Sequence, residues 1–146
     1  MRKILFTAAA LLSFSFGAAW AAQTPAKMPA QMPAGVHVKE VTVPPTGAVK
    51  VLADARGMTL YTNDNDAGGK STCAGECARF WPPLAAAGDA KPMGAWSVIS
   101  RDDGAKQWAY QGKPLYTFIK DTRVEDFSGN EQPKDKPVWH CALPGK

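Results

Sequence analysis

The chain has 146 residues, enough for one small domain, with 17 basic and 13 acidic side chains and a formal net charge of +4. Charges of both signs are interspersed, as on an ordinary solvated surface. Such a mild excess of positive charge argues against a nucleic-acid-binding protein.

The first 21 residues have the layout of a secretory signal peptide. Met1-Arg2-Lys3 is a basic start, Ile4 to Ala18 is an apolar run, and Ala19 and Ala21 are small residues where a signal peptidase reads. The alternative is a membrane anchor, but a span needs ~20 apolar residues. We therefore expect cleavage, a mature start at Ala22, no transmembrane segment afterwards, and a soluble periplasmic or secreted protein.

Residues 22–35 are Pro-rich and show no periodicity, which is typical of a flexible leader. Met28, Met32 and His37 are residue types that bind copper. Because a Pro-rich tether fixes no geometry, a linker is the expected role of this segment.

One pattern occurs twice at a constant spacing of 55 positions. Gly57-Met58-Thr59-Leu60-Tyr61-Thr62, followed by Asp66, returns as Gly112-Lys113-Pro114-Leu115-Tyr116-Thr117, followed by Asp121. Such a period indicates two copies of one supersecondary unit. We place them at about 49–84 (the first copy) and 96–142 (the second copy), within a single β-rich domain at 36–146.

Short alternating or β-branched segments bounded by turn residues predict strands. They lie at 36–43, 49–53, 58–62, 96–100, 106–110, 114–118 and 138–142. We expect residues 49–62 to form a hairpin around Gly57 and residues 96–118 to form a three-stranded meander. A short helix is expected over 72–80, ended by Trp81-Pro82-Pro83. The predicted fold class is mainly β: a small antiparallel sheet domain of two repeated hairpin or meander units with one or two short helices.

Aromatic mass is spread over both copies as Trp81, Trp96, Trp108 and Trp139, which we interpret as core residues rather than ligand platforms. Asp66 and Asp121 follow the two tyrosines symmetrically. Their expected role is structural, as acceptors for backbone amides of the following turn.

Three cysteines in an oxidising compartment leave one unpaired. Cys73 and Cys77 would lie one helical turn apart, which just permits a disulfide. We favour this bond over one from either cysteine to Cys141, which alternates with Trp139 and should point inward. The three intervening residues argue against a redox site, and the His needed for covalent haem is missing.

Catalytic machinery is not predicted. His37 and His140 are the only histidines, and no Gly-x-Ser-x-Gly element or paired-carboxylate signature accompanies them. The acidic loop at 63–71 lacks the closing Glu of a calcium-binding loop. His140 and Cys141, with Cys73 and a methionine, are the right types for copper, although no spacing enforces a site.

The segment Tyr116-Thr117-Phe118-Ile119-Lys120-Asp121 is a Tyr-x-aromatic-x-x-Asp motif. Together with Cys73-Ala-Gly-Glu-Cys77 leading to Trp81-Pro82-Pro83-Leu84, the Arg101-Asp-Asp-Gly104 turn and the terminal Trp139-His140, it resembles the secreted-repeat family of bacterial predicted lipoproteins. The resemblance covers about 49–142 and implies an exported, two-repeat, β-rich domain. It implies little about activity, because the biochemical function of the family is not established.

The chain departs from the family pattern at two points. Asn63 stands where the first copy should have its aromatic residue. The lipid-attachment cysteine that the family often carries is missing, which favours a soluble periplasmic protein.

These observations favour an exported, non-enzymatic protein without a cofactor, acting as a binding or envelope-associated module for an envelope protein or a small ligand. The alternative is a periplasmic redox or copper-handling protein that uses Cys73, Cys77, Cys141 and His140.

Overall fold

The computed structural model describes residues 31–136 and 138–145. The predicted signal peptide and residues 22–30 of the leader lie outside the described residues. The end of the leader forms a turn in which the Val36 amide donates to the Pro33 carbonyl at 3.0 Å. Among the described residues, no helix has the length and apolarity needed to cross a membrane.

Seven strands and one helix follow one another in the described part of the chain. They are β1 (His37–Val43), β2 (Gly47–Ala53), β3 (Tyr61–Asn63), α1 (Glu76–Phe80), β4 (Trp96–Ser100), β5 (Lys106–Tyr110), β6 (Lys113–Pro114) and β7 (Trp139–Cys141). All pairings are antiparallel, in sheets ordered β1-β2, β3-β7 and β4-β5-β6. The predicted mainly β fold class is confirmed.

The predicted hairpin over 49–62 is reduced to a short bridge between Ala53 and Thr59. Asp54 is the reason, because its Oδ1 accepts from the amides of Arg56 and Met58, each at 2.9 Å, and so holds the chain in a loop. The full-length partner of β2 is β1, paired from His37↔Ala53 to Val43↔Gly47.

Two other predicted elements are shorter than expected. The helix begins at Glu76 rather than at residue 72, because Gly75 has a left-handed backbone (φ 56°) that cannot continue a helix. The strand expected over 114–118 is limited to Lys113–Pro114, because the chain beyond it pairs with the first copy.

The end of the second copy completes the first copy. The Leu52 amide donates to the Ala142 carbonyl at 2.8 Å, and the Ala142 amide donates to the Leu60 carbonyl at 2.8 Å. In the same part of the molecule, β7 pairs with β3. The strand that closes the first copy is therefore supplied from about 80 residues further along the chain, where β7 lies.

The end of the first copy completes the second copy in the same manner. The Trp108 amide donates to the Leu84 carbonyl at 2.9 Å, and the Leu84 amide donates to the Leu115 carbonyl at 2.8 Å. These bonds match those of Leu52, Ala142 and Leu60 one by one. The two copies are thus related by an approximate two-fold axis and have exchanged their final segments.

The axis passes between Tyr61 and Tyr116. The Tyr61 amide donates to the Tyr116 carbonyl at 2.8 Å, and the Tyr116 amide donates to the Tyr61 carbonyl at 3.0 Å. Both residues are completely buried. This reciprocal pair joins the two motif segments directly through their backbones.

Two apolar clusters flank the axis, and each draws residues from both copies. The first contains Leu52, Leu60, Trp96, Trp108, Leu115 and Ala142. The second contains Tyr61, Cys73, Trp81, Tyr116 and Trp139. The four tryptophans expected in the core are all buried. Because neither copy encloses a cluster of its own, each must bury its apolar residues against the other.

We expect fragments of residues 31–90 and 91–145 to be unfolded separately and to regain structure when mixed. The first fragment lacks the Ala142 amide that bonds the Leu60 carbonyl, and the second lacks the Leu84 amide that bonds the Leu115 carbonyl. Each fragment would also expose the residues that it contributes to the two apolar clusters. Circular dichroism and amide proton dispersion of each fragment, and of the equimolar mixture, would measure this. A cooperative unfolding transition in either fragment alone would contradict the exchange.

Candidate functional site

The repeated motif exchanges hydrogen bonds between the copies. The Tyr61 hydroxyl donates to Asp121 Oδ2 at 2.5 Å, and the Tyr116 hydroxyl donates to Asp66 Oδ2 at 2.7 Å. Each tyrosine therefore bonds to the aspartate of the other copy. The sequence pattern gave no sign of this exchange, since the two partners lie 50 or more residues apart.

The second carboxylate oxygen of each aspartate binds the turn that follows it. Asp66 Oδ1 accepts from the Thr72 amide at 2.7 Å and its hydroxyl at 2.8 Å. Asp121 Oδ1 accepts from the Ser128 amide at 3.0 Å and its hydroxyl at 2.7 Å. The turn-amide role expected for both aspartates is thus one half of a bidentate arrangement that also holds the opposite tyrosine.

The other motif residues shape the backbone or the core. Gly57 and Gly112 have φ values of +82° and +78°, and Leu60 and Leu115 are fully buried. None of the four offers a polar side chain for chemistry.

Arg101 adds a buried cation beside the second tyrosine. Its guanidinium donates to Ser71 Oγ at 2.8 Å, Gln107 Oε1 at 2.7 Å and the Cys73 carbonyl at 2.6 Å. Ser71 Oγ in turn lies 2.7 Å from the Tyr116 hydroxyl. From the sequence Arg101 was only a turn residue, and nothing in its neighbours pointed to this network.

Burial keeps the hydroxyls of Tyr61 and Tyr116 protonated. It raises the pKa of Tyr61, with a further increase from the bond to Asp121, and it raises the pKa of Tyr116 to about 12. A tyrosine that stays protonated acts as a donor to its carboxylate and not as an acid or base near neutral pH. The motif therefore has the properties of a scaffold.

Cys73 and Cys77 form a disulfide, with their Cα atoms 5.2 Å apart, as favoured from the sequence. Cys141 is half-buried and packs against the second cluster. Burial, followed by the nearby Asp121 charge, raises the pKa of its thiol to about 12. The thiol is therefore protonated at neutral pH, the form that neither attacks disulfides nor binds metals well.

The residues considered for copper do not converge. His140 Nε2 lies 2.9 Å from Asp64 Oδ2 on the exposed side of β7, whereas its neighbour Cys141 faces the cluster. His37 is exposed at the start of β1, and Met28 lies outside the described residues. Over 31–136 and 138–145, no group of three or more His, Cys, Asp or Glu side chains is arranged to hold a metal ion.

Aromatic rings from both copies meet near the two-fold axis. Trp81 and Trp139, which occupy equivalent positions, stack at a centroid distance of 3.8 Å and an angle of 4°. Tyr61 contacts Trp81 edge-on at 5.5 Å, and Tyr116 contacts Trp139 in the same way at 5.1 Å. Edge-on contacts of this kind stabilise ring pairs by ~0.5–1.5 kcal/mol beyond their buried area.

The symmetry of the rings ends at Phe118. Its ring stacks on Trp81 at 4.2 Å, whereas the equivalent position in the first copy is Asn63. Asn63 is buried, and its Oδ1 accepts from the Asn65 amide at 2.9 Å. The aromatic stack is therefore extended on one side only.

A groove of about 310 Å³ opens beside this stack. Its apolar lining consists of Cys77, Phe80, Trp81, Phe118, Pro133 and Trp139, and its polar lining consists of Glu76, Lys120 and Gln132. Phe80 is 46% exposed, and Ile119, whose amide bonds the Phe80 carbonyl at 3.0 Å, is 58% exposed. The sequence had identified Phe118 as a motif residue, but not Phe80 or Gln132, which approach it only through the fold.

A family model described as a secreted repeat of unknown function matches the chain twice, over residues 49–85 and 97–142. The two matches cover more than half of the chain, which therefore belongs to this family of secreted repeats. Membership indicates an exported protein. No curated protein and no solved structure matches the chain.

We expect Tyr61→Phe to lower the free energy of unfolding by about 1–3 kcal/mol, because Asp121 is buried and would lose a donor. Tyr116→Phe should have a smaller effect, since Asp66 is less buried. Urea unfolding would measure the loss of unfolding free energy in both variants, and we expect their m-values to equal that of the wild type. Tyr110→Phe is the matched control, because within the described part of the chain the Tyr110 hydroxyl accepts from the exposed Gly145 amide and bonds no carboxylate. Equal losses for Tyr61→Phe and Tyr110→Phe would contradict the role of the exchange.

We also expect stability to fall at alkaline pH. Cys141, Tyr61 and Tyr116 have raised pKa values in the folded protein. Their contribution is complete below the unfolded-state values of about 8.5 for cysteine and about 10 for tyrosine, and it is lost as pH rises towards the folded values. Urea midpoints between pH 8 and pH 12 would show the decline, and Cys141→Ala should flatten its first part. A constant midpoint over this interval would disprove the burial of these groups.

Proposed function

We propose that the protein is an exported, non-enzymatic binding module that takes the apolar ring system of a small ligand into the groove beside the Trp81–Trp139 stack. The observation that carries this proposal is the half-exposed Phe80 next to an aromatic groove, whereas the other aromatic rings of residues 31–136 and 138–145 are buried or partly buried. Exposed apolar surface next to a cavity is a common mark of a binding site.

The size of the groove favours a ligand of one or two rings. Its volume of about 310 Å³ lies at the lower end of the range of small-molecule sites, roughly 300–1,000 Å³. Phe80 and Phe118 can contact a planar ligand, while Trp81 and Trp139 form a rigid support behind them. Rigid aromatic walls lose little conformational entropy when a ligand binds.

The polar lining favours a ligand with an anionic group. Lys120 supplies a cation to the groove, whereas the Glu76 carboxylate is engaged by Arg79 at 3.3 Å. Gln132 offers both a donor and an acceptor. A few polar groups in an apolar site fix the orientation of a ligand, so an aromatic carboxylate or sulfonate is the ligand class we propose.

The protonated tyrosines, each bonded to the aspartate of the other copy, support the non-enzymatic part of this proposal, since these bonds hold the copies together. The redox or copper alternative gains no support from Cys141 and His140, which face different sides of β7. We place the protein in the periplasm or outside the cell, in soluble form, in keeping with a secreted family and the predicted signal peptide.

The proposal predicts saturable binding of the anionic ring probe anilinonaphthalene sulfonate, followed by probe fluorescence. Phe80→Ser should weaken binding about tenfold or more, because a contact with an aromatic side chain is worth ~1.5–3 kcal/mol. Val38→Ser is the matched control, since Val38 is similarly exposed at 39% and lies on β1.

Lys120→Ala should weaken binding of the anionic probe but not binding of the neutral phenylnaphthylamine. Lys91→Ala, which lies outside the groove, should change the binding of neither probe. Absence of saturable binding for both probes would refute the proposal, as would equal effects of Phe80→Ser and Val38→Ser. Capture of an envelope protein that is unaffected by Phe80→Ser would place the binding surface elsewhere.

A further inference from the structure

We infer that the Cys73–Cys77 disulfide is a redox gate for the groove: its reduction by a dithiol reductant frees helix α1, the wall on which Glu76, Cys77 and Phe80 stand. The effect on ligand affinity rests on the proposed function. The release of the wall does not, and it can be measured without any ligand.

Helix α1 has few non-covalent anchors. It is five residues long, none of them is buried, and Gly75 at its N-terminus makes no side-chain cap. Helices this short are not stable in isolation, because so few hydrogen bonds repay nucleation. The Glu76–Arg79 ion pair is exposed on both sides, and such pairs add little stability.

The backbone bonds of α1 cluster at its C-terminal end. The Trp81 amide donates to the Cys77 carbonyl at 2.9 Å, and the Ile119 amide donates to the Phe80 carbonyl at 3.0 Å. The N-terminal end of the helix is held by the Cys77 amide, which donates to the Ala74 carbonyl at 3.2 Å, and by the disulfide. Ala74, Gly75 and Glu76 are exposed, so nothing packs over this connection.

The other half of the disulfide is firmly fixed. Cys73 is 1% exposed and belongs to the second cluster. Its carbonyl accepts from the Arg101 guanidinium at 2.6 Å, in the network that includes Ser71 and Tyr116. The disulfide thus joins a buried core residue to a helix with no buried residue, and it adds a covalent link to the few hydrogen bonds that position this wall of the groove.

The chemistry of opening is an ordinary thiol–disulfide exchange. Cys77 is the accessible sulfur, since it is half-buried and lines the groove, so a thiolate of the reductant attacks its Sγ and Cys73 leaves and takes up a proton. The second thiol of the reductant then attacks the mixed disulfide and releases Cys77. The reductant becomes a disulfide, and the protein gains two electrons and two protons.

Ligand binding and the redox state of the disulfide are coupled in both directions. If reduction lowers affinity for a ligand, binding of that ligand must stabilise the oxidised form by the same factor. Cys141 does not interfere, because its protonated thiol is a poor attacking group and it stands on β7. The groove would therefore bind in an oxidising environment and release its ligand to a reducing one.

Hydrogen exchange of the full chain, oxidised and then reduced and alkylated, tests the gate directly. We expect amides of residues 75–81 to exchange at least tenfold faster after reduction, while those of Tyr61 and Tyr116 stay protected. The Cys73→Ser/Cys77→Ser double variant should match the reduced protein, and Cys141→Ser should match the oxidised wild type. Unchanged exchange at 75–81 would overturn the inference, and so would loss of protection at Tyr61 and Tyr116, which would show global unfolding instead of a gate.

Anilinonaphthalene sulfonate supplies the second readout. Its affinity should fall about tenfold on reduction in the wild type and equally in Cys141→Ser, which keeps the disulfide. The Cys73→Ser/Cys77→Ser double variant should bind the probe weakly whether or not the reductant is present. If the oxidised protein does not bind this probe at all, the proposed function fails, while the exchange result still decides the gate. If the probe binds equally well to both redox forms, the gate is overturned and the groove remains.

Discussion

The structure depends on the reciprocal pairing of two buried tyrosines. Tyr61 and Tyr116 exchange backbone hydrogen bonds, and their hydroxyls reach the aspartates of the opposite copies. A buried carboxylate is tolerated only where its lone pairs are filled, so the exchange fixes the position of each copy on the other. The closing segments at Leu84 and Ala142 then fall beside the strands of the other copy, and Trp81 meets Trp139 across the axis.

The candidate groove arises where this symmetry is broken. Both copies contribute a tryptophan to the stack, but only the second adds a ring, Phe118, while the first has Asn63 turned into its own loop. The disulfide and helix α1 belong to the first copy alone. The groove lies between helix α1 of the first copy and Phe118 of the second copy. The features shared by the two copies form the scaffold, and the features found in one copy alone form the groove.

Local structure, including the pairing of strands joined by a short turn, was predictable from the sequence, whereas the pairing of distant strands was not. The hairpin of β4 and β5 follows from alternation and from the Asp103-Gly104 turn, which are properties of neighbouring residues. Alternation identifies residues 58–62 and 138–142 as strands, but it carries no information on which strand pairs with which. The same limit applies to Asp66 and Asp121: their turn amides lie within seven residues and were expected, whereas their tyrosine partners come from the other copy. The exposure of Phe80 was not predictable, because the burial of a side chain on a short helix depends on how that helix lies against the rest of the fold.

The exchanged closing segments also bear on how such a chain could have arisen. In a single isolated unit, the final segment would have no strand to pair with. The strands that normally pair with the other copy's final segment would also be unpaired. Two identical units on separate chains could satisfy one another, so the present molecule has the form of an ancestral homodimer later fused into one polypeptide. Arrays of this unit should accordingly grow by twos, since an odd member would have to recruit its complement from another molecule.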